Sequence, residues 1–194
     1  MLTQEEYRKV ARIHSEGICK GFLSSLGVRF LSLLYEAIDR SNGSVLLVAR
    51  IDNEVVGFVA GTGSIGEVYR MMLESWPRLV VALLPVLLSP SKIWRIAETV
   101  LFSRKGGSES SDLPQHELLS ISVLKEYRGQ SVADRLFDDL VQYFRGHDVE
   151  QFKIVVGDAL VPAHKFYSRM GAKPFARAEV HKGSGSVIYI KDIK

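Results

Sequence analysis

A chain of 194 residues is short for two ordinary domains and long enough for one hydrophobic core, so a single unit over residues 1–194 is expected. Apolar residues make up 46% and charged residues 24%, globular proportions that exclude a disordered tail protein or a coiled coil. Lys and Arg exceed Asp and Glu by only 25 to 22 and form no basic arm, so no nucleic-acid partner is expected.

Cys19 stands alone, which excludes an internal disulfide framework and a zinc site built from several cysteines, and burial as a small apolar residue is its expected fate. Nothing in the pattern asks for a metal. The stretch Met1 to Glu6 is acidic and amphipathic where a secretory signal would be basic and then apolar. The longest apolar run, Leu79 to Leu88, falls well short of the roughly 20 residues that span a bilayer. A cytoplasmic location without a membrane span is the expectation.

Tyr7, Val10, Ala11 and His14 recur at helical spacing, and Leu26, Phe30, Leu33, Leu34, Ala37 and Ile38 do so more strongly, predicting two helices before Asn42-Gly43. Ser44 to Arg50 and Val55 to Gly61 are β-rich runs whose spacing suits an antiparallel hairpin. Residues 66–115 then interrupt the pattern, with a predicted helix from Glu67 to Leu88, a second near Lys92 to Phe102, and a polar Gly/Ser loop from Arg104 to Asp112. From His116 the order becomes strand (Leu118 to Leu124), helix (Val132 to Phe144, closed by Gly146), strand (Phe152 to Val156), short helix (Pro162 to Met170, stopped by Gly171) and two closing strands, Lys173 to His181 and Val187 to Lys191. The fold class is α/β, or α+β, with a mixed sheet.

The stretch Val123 to Ala133 carries most of the chemical signal, because a buried strand runs through a tight basic turn straight into an amphipathic helix. Such a turn aims backbone N–H groups and the positive end of the helix dipole at one spot, which suits a phosphate or pyrophosphate. Gly129 permits close approach, Arg128 adds charge, and Ser131 to Asp134 matches a capping box. No Gly-Lys-Ser/Thr follows, and the three-glycine dinucleotide spacing is missing, so nucleotide hydrolysis and hydride transfer lose ground.

Arg128-Gly129-Gln130-Ser131-Val132-Ala133 resembles the pyrophosphate loop of the GNAT superfamily of acyl-CoA-dependent N-acyltransferases, with Ser131 in place of the first glycine. Ala163-His164-Lys165-Phe166-Tyr167-Ser168-Arg169-Met170-Gly171-Ala172 is similar to the family's second motif, and Leu160 stands where an Asn is frequent. The resemblance covers residues 44–65 and 116–192 and implies a mixed, mostly antiparallel central sheet flanked by helices, with the segment at about 66–115 as a helical insertion. It also implies acetyl-CoA as cosubstrate, its pantetheine arm against Ile121, Ser122 and Val123 and near Gly157, and its pyrophosphate held by Arg128, Gly129, Gln130, Ser131, Val132 and Ala133.

Transfer of an acyl group from a thioester to an amine needs a free amine and a stabilised sulfur. For an alkyl ammonium of pKa near 10.4, deprotonation at pH 7 costs about 4.6 kcal/mol, whereas a thiol of pKa near 8.5 asks about 2 kcal/mol, so a base matters more than an acid. Glu117 is the candidate base. A strict two-residue strand period puts it on one face with Leu119, Ile121 and Val123, where partial burial would raise its pKa, and His116 on the other. Tyr167, at the family's tyrosine position, is the candidate acid. His164 is expected to cover the cofactor or to face solvent, His14 and His181 to be structural, although His181 could line the acceptor side. Three readings stand open for Trp76 to Leu88: core of an extra helix, a lid over the acceptor, or a membrane-touching patch.

These readings add up to an N-acetyltransferase acting by direct attack on acetyl-CoA in a ternary complex, with a small-molecule amine such as an amino sugar as the favoured acceptor. A protein amine acceptor, a non-catalytic acyl-CoA-binding sensor or scaffold, and a homodimer are left open.

Overall fold

A computed structural model of the chain describes residues 1–18, 23–87, 113–181 and 184–193. Cys19, the helix expected near Lys92 to Phe102 and the loop from Arg104 to Asp112 lie outside these residues, and the His181 side chain is likewise outside the description.

Helix α1 (Gln4–Gly17) opens on a capping box in which Glu6 N–H donates to Thr3 Oγ1 and Thr3 N–H donates back to the Glu6 carboxylate at 2.8 Å. A short 3-10 turn (Leu23–Leu26) leads to α2 (Val28–Arg40), which packs along α1 and buries Leu31, Leu34 and Ile38 against Tyr7, Val10 and Ile13. The hairpin of β1 (Ser44–Ile51) and β2 (Glu54–Thr62) turns on Asp52 and Asn53, whose φ values of 50° and 64° place both in the left-handed region that a two-residue hairpin turn requires.

Helices α3 (Ile65–Glu74) and α4 (Trp76–Leu87) follow where the sequence suggested one continuous helix. The break lies at Ser75, whose N–H turns back to the Met72 carbonyl at 3.1 Å. Pro77 explains it, since it has no N–H for the Leu73 carbonyl and its ring would crowd that carbonyl. α4 lays Leu79 and Ala82 toward α2, and Arg78 pairs with Glu36 at 2.8 Å. Trp76, Val80, Val81 and Leu84 on its other side are 46–64% exposed, so only one side of this helix is core.

The remaining elements are β3 (Glu117–Val123), α5 (Val132–Arg145), β4 (Gln151–Gly157), α6 (Val161–Arg169), β5 (Lys173–His181) and β6 (Ser184–Asp192). They complete a six-stranded sheet of order β1-β2-β3-β4-β6-β5 in which β3 and β4 alone run parallel. The expected mixed, mostly antiparallel sheet flanked by helices is therefore found. On one face α5 packs Leu136, Phe137, Leu140 and Phe144 onto Leu118, Phe152 and Ile154. On the other, α1, α2 and α3 cover Leu46, Val55, Phe58 and Ala60.

Candidate active site

The parallel ladder between β3 and β4 consists of two pairs, Glu117 with Lys153 and Leu118 with Ile154. Beyond it the edges of residues 119–123 and 155–157 have no ladder between them, which leaves unpaired main-chain donors and acceptors at the middle of the sheet. Ile121, Ser122 and Val123 lie on that open edge of β3, and Gly157 ends β4 opposite.

β3 itself is irregular. Ala60 pairs with Ser120 and Gly61 with Leu118, so Leu119 is an extra residue, a β-bulge. Opposite it, Gly61 has no room for a Cβ, because the Leu140 and Phe144 side chains of α5 lie 2.8 and 2.9 Å from where it would stand. The bulge corrects the expected parity: Leu119 packs into the α1–α3 layer, whereas Ile121 and Val123 pack into the α5 layer. Glu117 thus shares a face with Leu119 and not with Ile121 or Val123.

On that face the Glu117 side chain is 28% exposed and lies 3.9 Å from Lys153 Nζ, which also donates to the Pro114 carbonyl at 3.1 Å. Burial pushes the Glu117 carboxyl above the ordinary carboxylate range, and Lys153 opposes that shift. The charge is felt by Tyr69 of α3, whose hydroxyl is raised by burial and then by Glu117. His116 points the other way, edge-on to Phe144 at 5.4 Å, and burial lowers its pKa.

At the far end of β3 the turn into α5 puts Gly129 at φ 78° and Ser131 at φ 57°, both left-handed. Ser131 is the N-cap residue, but its side chain makes no capping bond, and Asp134 is held instead by Arg169 at 2.7 and 3.0 Å. The capping box read from the sequence does not form: the left-handed backbone at Ser131 and the Arg169 pair take its two halves elsewhere. Because Arg135 N–H is the one that returns to the Ser131 carbonyl, the N–H groups of Val132, Ala133 and Asp134 precede the first helical hydrogen bond. Arg128 Nε donates to the Val123 carbonyl at 3.1 Å, which ties the turn to the end of β3, and Gln130 Nε2 donates to the Glu126 carbonyl at 3.0 Å. Free N–H groups at a helix start beside an arginine suit a pyrophosphate.

Tyr167 of α6 is 6% exposed, with its ring among Phe137, Phe166 and Tyr189. Burial raises its hydroxyl pKa, so the proton is held at neutral pH. His164 is part-buried: Nε2 donates to the Gly157 carbonyl at 3.1 Å and Nδ1 lies 2.8 Å from Tyr189 Oη, so the ring fastens α6 to β4 and β6 beside the open edge. His14 is buried in the α1–α2 layer, as a structural histidine would be.

The structure therefore brings Glu117 and the predicted cosubstrate residues 121–123 and 128–133 onto one strand and the turn that follows it, sets Gly157 across the open edge, and places Tyr167 in the α5-side core among Phe137, Phe166 and Tyr189. Lys153 and Tyr69, the neighbours of Glu117, were not singled out from the sequence. Lys153 alternates with Phe152 and Ile154, which fixes its face, but its pairing with Glu117 depends on a cross-strand register that no local signal carries. Tyr69 offered no signal at all. An open cleft of about 560 Å³ lined by Leu46, Val48, Asp139 and Tyr143 shares no residue with this set. Among the described residues no helix is long and apolar enough to cross a membrane, and no group of three or more His, Cys, Asp or Glu could hold a metal ion.

The sequence profile of the Acetyltransferase (GNAT) family matches residues 18–172. A search of curated protein sequences finds no match. Solved structures similar in fold include a protein described as a GNAT-family acetyltransferase from Desulfovibrio desulfuricans, with TM-score 0.65 and 13% identity over 100% of this chain and 96% of that one. An N-acetyltransferase from Staphylococcus aureus Mu50 gives TM-score 0.63 and 12% identity over 100% and 96% of the two chains. A protein from Bacillus anthracis named for streptothricin acetylation, solved with acetyl coenzyme A, gives TM-score 0.53 and 13% identity over 81% and 67%. With the profile covering most of its length and the fold in agreement, the chain belongs to the GNAT family and is an acyltransferase.

Proposed function

We propose that this enzyme transfers an acetyl group from acetyl-CoA to the primary amine of a small metabolite, such as an amino sugar, by direct attack in a ternary complex. The observation that carries the reading is the pairing, on one strand, of a part-buried carboxylate with an open edge that runs into a helix start rich in free N–H groups. The fit to acetyl-CoA is of two kinds: the β3 edge at Ile121 to Val123, which β4 leaves without a ladder, can take an amide-bearing arm where Arg128 does not already occupy the Val123 carbonyl, and Arg128 with the N–H groups of Gly129 to Ala133 can take a pyrophosphate.

Acetyl-CoA supplies the activated acyl group. Glu117, its pKa raised by burial, accepts the proton of the attacking amine. Lys153, 3.9 Å away, disfavours a second positive charge beside it and so favours the amine in its neutral form. Tyr167 keeps its proton at neutral pH and donates to the departing sulfur. A small acceptor is favoured because a lysine beside the base suits a basic peptide poorly.

Two measurements test this. Acetyl-CoA at a hundredfold excess over its dissociation constant should stabilise the protein by about 2.7 kcal/mol, and no shift in melting at millimolar acetyl-CoA overturns the cosubstrate site. Thiol release should be stimulated by amino sugars or other small amines; stimulation by peptides alone overturns the acceptor class.

A further inference from the structure

A buried polar chain lies outside the groups used so far. His14 Nδ1 of α1 is 2.5 Å from Tyr35 Oη of α2, and Tyr35 Oη is 2.9 Å from Ser120 Oγ of β3. His14 is 3% and Tyr35 1% exposed, and both rings pack on Phe58, His14 stacked at 15° and Tyr35 edge-on. His14 Nε2 has no partner among the described residues. A buried imidazole with one nitrogen unsatisfied is a costly way to fill an apolar layer, and a phenylalanine would fill it without that cost. The retained polarity ends on one particular residue.

Ser120 immediately follows the extra residue Leu119, at the point where the β3–β4 ladder has stopped. The bulge decides which face Glu117 occupies: in a regular strand Glu117 would share a face with Ile121 and Val123, and with the bulge it stands on the opposite face. A slip of one residue would therefore separate the base from its surroundings. The ladder to β2 is broken at this point and the ladder to β4 is absent beyond Leu118, so main-chain pairing holds the bulge weakly and the side-chain bond from Tyr35 holds it from the helical layer. The chain does not take up the amine's proton, because burial pushes His14 down to about 4 and leaves it neutral at pH 7.

We propose that His14, Tyr35 and Ser120 are positioning residues for acyl transfer: the chain locks the Leu119–Ser120 bulge and so fixes Glu117 relative to the open edge Ile121 to Val123. The proposal rests on the roles given above to Glu117 and to that edge.

Tyr35→Phe removes only the hydroxyl that joins the other two groups. It should lower kcat by roughly tenfold to a hundredfold, the scale of a small misplacement of reacting groups, with the acetyl-CoA Kd from calorimetry within about twofold of wild type. Amide hydrogen exchange, read without substrate, should speed up by at least about tenfold at Leu119 to Ile121 and stay unchanged in the β1–β2 hairpin. Ser120→Ala should reproduce the effect, and the double variant should cost no more than either single one, the mark of a shared interaction. Unchanged exchange at the bulge overturns the tether. So does a loss in kcat matched by an equal loss in acetyl-CoA affinity, which would mean general damage. Failure of the wild-type protein to bind acetyl-CoA would overturn the underlying reading of the edge, and the exchange measurement would still report on the tether.

Discussion

The two faces of the sheet enclose different interiors. Against α5 the layer is dry and aromatic, with Phe137 and Phe144 each tilted against Phe152 at 5.9 and 5.1 Å between ring centres. Against α1 to α3 it admits His14, Tyr35 and the part-buried Glu117 beside aliphatic neighbours. Buried polar groups lower stability unless they are paired, so the second interior is the less stable way to build a layer. The division fits the roles proposed above. The mostly apolar layer holds α5, whose first N–H groups face the proposed pyrophosphate site, and seats Tyr167, whereas the polar layer carries Glu117, the proposed base. Breaking either face should therefore fail differently, in cosubstrate binding or in the proton step.

The largest effect is expected at Glu117. Glu117→Gln keeps the size and hydrogen-bonding capacity of the side chain and removes the base, so the rate should fall by about 10² to 10⁴. Raising the pH should partly restore it, since solvent then supplies the free amine. Because burial raises the Glu117 pKa, the acid limb of the wild-type profile should lie above the ordinary carboxylate range. A Glu117→Gln profile equal to wild type in height and shape would remove this residue from the mechanism.

The polar interior should next be visible in stability against pH. His14 has its pKa lowered from 6.5 to about 4 by burial, so between those values the unfolded chain binds a proton that the folded chain refuses. Stability should therefore rise as pH increases across this window, by up to about 3 kcal/mol from this residue, and be lost as pH falls toward 4. His116, also lowered, adds slope of the same sign, and Glu117, raised, opposes it. Urea unfolding at several pH values should show a flatter dependence for His14→Gln than for wild type, whatever the variant's absolute stability. Identical slopes would mean that His14 is protonated in the folded state.

These two faces were unequally legible in the sequence. The dry face could be read, because Leu136, Phe137, Leu140, Val141 and Phe144 repeat at helical spacing and Phe152, Ile154 and Val156 at strand spacing, and period alone assigns them. Ser131 could be placed at the helix start, but its left-handed backbone could not, since a serine there looks like an ordinary cap. The polar face was mostly hidden. A one-residue bulge has no composition of its own, so strict alternation misplaced Glu117 against Ile121 and Val123. Tyr35 and Ser120 are separated by 85 positions, and nothing in the sequence joins them until α2 and β3 are set side by side. The break at Ser75 is the converse case, legible in Pro77 and outweighed by the apolar run around it.

A smaller effect is expected from Tyr167→Phe, because sulfur departure asks for less proton stabilisation than amine deprotonation. With a strongly basic acceptor the rate should fall by less than in Glu117→Gln. With an acceptor whose amine is already neutral at pH 7 the ranking should shrink or reverse, and higher pH should not rescue the variant. Equal losses for both acceptor types would place Tyr167 in packing, among Phe137, Phe166 and Tyr189, instead of at the sulfur.

The smallest effect is also the one that separates strain from contact at the cosubstrate turn. Ser131 holds φ 57° and ψ 18° with no bond from its side chain, so it carries the left-handed penalty of about 1–2 kcal/mol without a cap in return. Ser131→Gly removes that penalty and adds backbone freedom to the unfolded chain worth about 0.5–1 kcal/mol, which leaves a net gain of up to about 1.5 kcal/mol. Acetyl-CoA affinity should rise modestly as well, because the substitution clears a Cβ and hydroxyl from the approach to the N–H groups of Val132 and Ala133. Ser131→Val, β-branched in the same conformation, should lose both stability and affinity. Calorimetric titration on the two variants decides the point. A several-fold loss of affinity in Ser131→Gly, alongside the expected gain in stability, would mean that the hydroxyl itself holds phosphate, and that the serine is kept at this strained position for contact.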